Sequence, residues 1–250
     1  MAHLPEAVRT LERELRGIFH ERLKSLTVYG QSSHGSGRAG KGEHDSHGAH
    51  DHDATTHTMA IVDTLGHDDL RACGKRLRAW HDEGLATPLL MAAHEFETAL
   101  DVFPLEFGAI LDDHVVVFGT SPFDGLKVDP ADVRRACEGQ ARSHLLHLRG
   151  GYLETHGRSD ALAVLIVRSA PPLAALLKSV ARLEGVGATD AAAAGRHAER
   201  TLGLAGGALG DIVNLVGIRE ISSEQAERLF PPYLDAMERL VKYVDGWRMA

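Results

Sequence analysis

The chain has 250 residues, of which 44% are hydrophobic, enough for one large or two modest domains with their own cores. Its formal net charge of -8 argues against a broad nucleic-acid surface, because neutralising phosphates requires clustered Lys and Arg. The longest apolar run, 161–167, is far shorter than the roughly 20 residues of a membrane-spanning helix, and the N-terminus lacks the pattern of a secretion signal. We therefore expect a cytoplasmic protein whose partners are small molecules, other proteins or further copies of itself.

The first half of the chain alternates between helical and strand patterns. Apolar residues at spacings of three and four predict a helix over 4–23, and Leu26–Tyr29 and Met59–Val62 read as apolar strands. The pair Asp68-Asp69 opens a further helix that Gly84 ends. Its expected inner face is formed by Leu70, Cys73, Leu77 and Trp80. Short strands are predicted over 88–91, 100–103 and 115–118, with short helices over 92–99 and from 106.

Beyond residue 126 the periodicity is purely helical. Pro130 begins a long helix that the pattern ends or interrupts near Gly150-Gly151, and a second helix over 160–169 is kinked or restarted by Pro171-Pro172. Helical segments over 191–204 and 223–247 complete the chain. The sequence therefore predicts an α+β domain over 1–125, in which helices accompany a mixed sheet, followed by an all-helical domain over 126–250.

The stretch between the first two strands contains the first candidate site. Leu26–Tyr29 runs into Gly30, Gln31, Ser32 and Ser33. A strand that enters a Gly-X-Ser turn leaves backbone N–H groups unpaired, and such donors suit phosphate. These four residues are the predicted nucleotide-binding residues, although the same sequence is also ordinary turn chemistry.

A histidine-rich insert follows this turn. Residues 36–57 are rich in Gly, Ser, His and Asp and almost free of large apolar side chains, so we expect a flexible surface insert. His47, His50, His52 and His57 are candidate ligands for Zn2+ or Ni2+, which favour imidazole. The alternative is a solvated segment that binds metal only adventitiously.

Three motifs together point to a family. They are the run 28–35 (VYGQSSHG), the run 100–107 (LDVFPLEF) and the ending 243–247 (YVDGW). In this combination, over most of its length, the chain resembles bacterial nucleotidyltransferase-like proteins of the polymerase-beta superfold. The resemblance implies transfer of a nucleoside monophosphate from a nucleoside triphosphate with Mg2+. It also implies a Gly-Ser turn that cradles the phosphates, an Asp-X-Asp pair on the next strand that holds the metals, and a third carboxylate on a later strand.

Carried onto this chain, the resemblance matches only part of that site. Gly30, Gln31 and Ser32 match the turn, with Gln in place of the usual Ser, and Asp101 falls at the third carboxylate, as a magnesium ligand or catalytic base. The pair is missing, because 54–59 contains no acid, and the Asp-X-Asp of 51–53 precedes the strand. A further option is that His57 and a neighbour replace the lost carboxylates and shift the preference to a softer metal.

Three functions follow as expectations. The first is a nucleotide-binding protein of this fold with weakened or lost transferase activity. The second is an active Mg2+-dependent nucleotidyltransferase that acts on a small molecule or protein. The third is a metal-binding or metal-sensing protein that uses the His-rich loop.

A separate spacing occurs in the helical half. Arg142 and His147 are separated by four residues, as are the Arg and His of a helical ribonuclease family. We expect these two side chains to lie on a solvated or interdomain face instead, because the acidic balance of the chain disfavours RNA.

Overall fold

A computed structural model describes residues 5–30, 55–187, 190–204 and 206–248 of the chain. It divides into two compact units, Met1–Val128 and Asp129–Ala250. The first unit combines a mixed sheet with helices, and the described part of the second is helical. The predicted α+β class is therefore confirmed.

The first unit is built on four strands. They are β1 (Leu23–Tyr29), β2 (His57–Val62), β3 (Leu89–Ala92) and β4 (His114–Gly119), in the order β3-β2-β1-β4. β1 is antiparallel to both β2 and β4, whereas β2 is parallel to β3. The two central strands, β1 and β2, are formed almost entirely by buried residues because helices cover both faces of the sheet.

One face of the sheet packs against α1 (Glu6–Phe19), α2 (His67–Gly74) and α3 (Leu77–Asp82). The side chains of α1 that point to the sheet recur at spacings of three and four, as predicted. This core contains Val8, Leu11, Leu15, Phe19, Leu26, Val28, Ala60, Val62 and Trp80. The indole of Trp80 donates a hydrogen bond to the carboxylate of Glu14 at 2.6 Å, which satisfies its polar atom at the edge of this core.

The other face packs against α4 (Ala93–Glu97) and α5 (Pro104–Asp112). Its core contains Met59, Ile61, Phe96, Phe107, Ile110 and Phe123. The ring of Phe96 meets those of Phe107 and Phe123 edge to face, each with centroids 5.5 Å apart. Because side chains alternate along a strand, Met59 and Ile61 lie on this face, while Thr58 lies on the opposite face with Ala60 and Val62.

Two predictions in this unit are wrong. The run 100–103 is not a strand but part of the turn between α4 and α5, closed by a hydrogen bond from the Phe103 N–H to the Ala99 carbonyl at 2.8 Å. Val102 and Phe103 are 63% and 52% exposed. In the described structure neither a partner strand nor a hydrophobic core stabilises an extended conformation of this run. The single helix expected from Asp68 to Gly84 is divided into α2 and α3, and Leu70 is exposed, not buried.

The described part of the second unit consists of α6 (Pro130–Glu154), α7 (Ser159–Leu183), α8 (Ala191–Leu202), α9 (Ala208–Val213) and α10 (Ser223–Gly246). α6 begins at a proline and is capped by the Asp129 carboxylate, which accepts a hydrogen bond from the Ala131 N–H at 2.8 Å. α6 continues through Gly150-Gly151 and ends at Glu154, and α7 continues through Pro171-Pro172 without restarting. Packing of α6, α7 and α10 against one another outweighs these local signals.

α7 is long and apolar enough, by length and composition, to cross a membrane. Half of its most apolar window is buried inside the structure, and its buried side chains face the other helices of the second unit. Core packing therefore accounts for the composition of this helix.

A matched pair of glycines tests the pairing of β1 with β4. Both Gly119 and Gly125 have a left-handed backbone, with φ of 77° and 78°. A Cβ on Gly119 would lie 1.8 Å from the Lys24 carbonyl oxygen, whereas one on Gly125 would have no neighbour within 4 Å. We expect Gly125→Ala to lower the free energy of unfolding by about 1 kcal/mol through backbone strain alone. Gly119→Ala should cost at least about 2 kcal/mol more.

Urea unfolding in a Trp247→Phe background measures this difference, because Trp80 then reports the first unit alone. Equal losses of stability in the two variants would show that β4 does not approach Lys24 in this way.

Candidate functional site

Gly30 ends β1 and turns the chain out of the sheet. Its φ of 72° is in the left-handed region, which glycine adopts without steric cost. Its N–H donates to the Asp113 carbonyl at 3.1 Å, so Gly30 contributes backbone conformation, while its own donor is used within the protein. The other predicted phosphate-binding residues, Gln31, Ser32 and Ser33, lie outside the described residues, as do His47, His50 and His52.

His57 begins β2 directly beside this turn. It pairs with Tyr29 across the antiparallel ladder, and the two ring centroids are 5.6 Å apart with an interplanar angle of 31°. His57 is exposed, whereas Tyr29 is half-buried, and burial raises the pKa of the Tyr29 phenol. The chain therefore leaves β1 and re-enters β2 at one end of the sheet, flanked by two aromatic side chains.

The residues where the resemblance implies the Asp-X-Asp pair are Thr56, His57 and Thr58. Both backbone polar groups of Thr56 are hydrogen-bonded to the segment 84–86. Its N–H donates to the Gly84 carbonyl and its carbonyl accepts from the Ala86 N–H, each at 2.9 Å. Thr58 is completely buried on the face that packs against α1, and its hydroxyl has no hydrogen-bond partner among the residues that the structure describes. A carboxylate at this position would be enclosed by apolar side chains, which is costly for an ionised group without a partner.

Two further hydroxyls without partners lie on the neighbouring strand. Ser25 and Thr27 of β1 are buried, and neither side-chain oxygen is hydrogen-bonded within the described part of the chain. Both point to the sheet face opposite Thr58, because Thr27 pairs with Met59 and Thr58 pairs with Val28. The sequence does not predict these buried hydroxyls, because Thr, like Val, is common in strands whether or not its hydroxyl is hydrogen-bonded.

Asp101 lies in the turn between α4 and α5 and is exposed. The resemblance implies a third carboxylate on a strand, whereas residue 101 lies outside the strands of the described sheet. The role of Asp101 as metal ligand or base stays a prediction. Within the described part of the chain, no three His, Cys, Asp or Glu side chains come together in a way that could hold a metal ion. The structure thus does not bring Asp101 or His57 into a three-ligand metal centre among these residues.

The Arg142 and His147 pair of the helical unit does not converge. Five residues along the continuous helix α6 separate the two side chains by roughly 140° around its axis. Arg142 instead binds Glu138 at 2.9 Å and Asp245 at 3.2 Å, and the hydrogen bond from Arg142 lowers the pKa of Glu138. His147 contacts the Ser143 hydroxyl at 3.3 Å. The two side chains therefore do not contact each other, and Arg142 is held by two carboxylates.

Comparisons with known proteins identify the fold and no family. No family model matches the chain, and no curated protein matches it. Among solved structures it is similar to spectinomycin adenyltransferase AAD(9) from Enterococcus faecialis, crystallised with ATP and spectinomycin. The TM-score is 0.55 at 10% sequence identity, over 95% of this chain and 99% of that one. The chain therefore has a nucleotidyltransferase-like fold.

Substitutions of Thr58 test whether β2 can accept a metal-binding carboxylate. Thr58→Val keeps the shape and removes a buried hydroxyl that has no partner, so the free energy of unfolding should rise by about 1 kcal/mol. Thr58→Asp should lower it by at least about 3 kcal/mol, because the charge would be buried without compensation.

Thermal and urea unfolding measure both effects. The control is Thr56→Asp, which places the same charge at a half-buried position just before β2 and should lower the free energy of unfolding less than Thr58→Asp does. If Thr58→Asp were as stable as the parent chain, Thr58 would not be enclosed as described here.

Proposed function

We propose that this chain is a nucleotidyltransferase-fold protein that binds a nucleoside triphosphate and has weakened or lost the metal-dependent transfer reaction. The observation that carries this proposal is the entry of β2, where Thr58 is buried in an apolar core and Thr56, His57 and Thr58 provide no carboxylate. Transfer by this superfold, as the resemblance implies, depends on two carboxylates held rigidly on that strand. Without them, stabilisation of the charge on the transferring phosphoryl group falls largely to other groups.

Nucleotide binding is supported by the fold and by the end of β1. The solved structure of similar fold contains ATP. In this chain Gly30 has the left-handed backbone that lets a strand turn sharply. Because the Gly30 N–H is bound to Asp113, the donors toward phosphate in our proposal are those of Gln31, Ser32 and Ser33.

The fold also implies Mg2+, and the described residues fit that ion poorly. Mg2+ in nucleotide sites is held by one or two carboxylates together with phosphate oxygens. Asp101 is the residue that we assign to it. It lies on an exposed turn, and within the described part of the chain it belongs to no group of three His, Cys, Asp or Glu side chains that could hold a metal ion. Under this proposal the bound nucleotide retains its magnesium through its own phosphates, and Asp101 contributes little affinity.

The alternative function, an active transferase, assigns Asp101 an essential role. It requires Asp101 to act as metal ligand or base, together with acids from 51–53, which lie outside the described residues. Turnover would then depend on Asp101, which distinguishes the two functions experimentally.

Calorimetric titration with a non-hydrolysable ATP analogue tests the first proposal. We expect saturable binding to the metal-stripped chain that changes by less than about tenfold when Mg2+ is added, because few of the contacts depend on the metal. Gly30→Val should abolish binding, whereas Gly125→Val, which places the same side chain at another left-handed glycine in open space, should not.

Asp101→Asn should leave affinity for the analogue unchanged, and incubation with ATP should release pyrophosphate slowly or not at all, at a rate that Asp101→Asn does not change. Absence of binding would overturn the proposal, and pyrophosphate release that is lost in Asp101→Asn would establish the active transferase instead.

Metal binding by the His-rich insert is a second candidate, favoured by the position of His57. Unlike the other histidines proposed as ligands, His57 is seen on a regular element, where it is exposed at the beginning of a strand with a buried interior. A rigid imidazole gives Zn2+ or Ni2+ one fixed ligand around which His47, His50 and His52 could complete a site.

Zinc titration of the full chain tests this candidate. Stoichiometric uptake should be weakened at least about tenfold by His57→Ala, because one of a few ligands is removed. His67→Ala, an exposed histidine at the start of α2, is the control and should have no effect. Equal uptake by both variants would mean that His57 is not a ligand.

A further inference from the structure

A groove crosses the helical unit between α6 and α7. Its volume is about 470 Å3, within the range of roughly 300–1,000 Å3 that small-molecule sites occupy. The lining is mainly apolar, with Leu148 and Leu176 in its floor and Pro172 in its wall. Gln140, Ser143 and Arg168 add polar groups to this lining. A groove of this kind suits a molecule with an apolar body and a polar end.

The formal charge on this lining is positive. Arg168 is among the lining residues, and neither Asp nor Glu is. Across the described ranges Arg168 forms no ion pair, in contrast to Arg142 and Arg149 of α6, which bind Glu138 and Glu238. A cationic ligand would find no countercharge here, whereas an anionic group would meet an arginine that has no competing carboxylate.

The wall of the groove is fixed by a chain of hydrogen bonds. Ser169 donates to the Ile166 carbonyl at 2.7 Å, and Tyr233 donates to the Ser169 hydroxyl at 3.2 Å. The phenol oxygen of Tyr233 also lies 2.5 Å from Nε2 of His144, within hydrogen-bond distance. These hydrogen bonds connect Tyr233 of α10 to Ser169 of α7 and to His144 of α6, and they restrict the orientation of the His144 ring.

His144 belongs to the lining of the groove, and its side chain is half-buried. Burial, with a smaller contribution from His147, lowers the pKa of His144 to about 4, so the imidazole is neutral at pH 7. The lining of the groove therefore contains one cation, Arg168, and a neutral imidazole at His144.

We propose that this groove binds a small organic anion, with its acidic head on Arg168 and a flat apolar body on the leucine floor. The Ser143 hydroxyl and the Gln140 amide lie in the same lining and supply further hydrogen bonds to the head group. The site lies within the helical unit and does not depend on nucleotide binding by the sheet, so either property can fail without the other.

A charged and an uncharged probe of the same shape test this proposal on the full chain. The charged probe is 8-anilinonaphthalene-1-sulfonate, and the uncharged one is N-phenyl-1-naphthylamine, which lacks only the sulfonate. We expect one saturable site for the charged probe by fluorescence and calorimetry. Arg168→Gln should weaken its binding at least about tenfold and leave the uncharged probe unaffected, because a charge-assisted contact is lost.

Two further variants locate the site. Arg228→Gln removes an exposed arginine of α10 that does not line the groove, and it should change neither affinity. Ala175→Trp fills the groove from an exposed position of α7 and should abolish binding of both probes, while circular dichroism confirms that the helices remain folded.

Unchanged affinity of the sulfonate in Ala175→Trp would overturn the groove as the site. Unchanged affinity in Arg168→Gln, with binding lost in Ala175→Trp, would overturn its preference for an anion.

Discussion

The burial of the two central strands on both faces is the constraint on which the first unit depends. β1 and β2 lie between α1–α3 on one side and α4–α5 on the other, and nearly every side chain along them is removed from water. Such strands tolerate hydroxyls at a modest cost, as at Ser25, Thr27 and Thr58, but not an unpaired charge. The same packing that stabilises the sheet therefore excludes a carboxylate from the position of Thr58.

The backbone fold of this chain and the side chains that a transferase reaction requires are separate questions. Its backbone follows a nucleotidyltransferase-like course over nearly the whole length of a solved adenyltransferase. A fold does not determine activity, which depends on particular side chains placed on it. Here Gly30 has a left-handed backbone after β1, and residues 56–58 at the start of β2 carry hydroxyls and an imidazole and no carboxylate. Nucleotide binding without efficient transfer is the function that we infer from this combination.

Local periodicity predicted the elements that local interactions specify. The helix α1, the strands β3 and β4 and the helix α10 follow from apolar spacing, and the turn glycine Gly30 follows from its place after an apolar strand. The run 100–103 has the same apolar pattern but no partner strand, and only tertiary structure reveals that difference. The continuity of α7 through Pro171-Pro172 is likewise decided by packing against its neighbours.

The site was predictable only in part, because its properties depend on long-range pairing. The absence of acids before Met59 is visible in the sequence, whereas the burial of Thr58 and the pairing of His57 with Tyr29 depend on the register of two strands separated by a long insert. The groove of the helical unit is formed by α6 and α7, and the hydrogen-bonded chain in its wall ends on Tyr233, 89 residues after His144. Arg142 and His147, which the sequence places on a solvated or interdomain face, are both exposed on α6.

The most direct test of the central claim is a backbone amide NMR titration of the full chain with a non-hydrolysable ATP analogue in the absence of Mg2+. The account predicts saturable shifts of the amides of Tyr29, Gly30 and His57 and of those that follow Gly30, while the amides around Asp101 stay unchanged. Shifts confined to the surroundings of Asp101 and dependent on Mg2+, or no shifts at all, would contradict it.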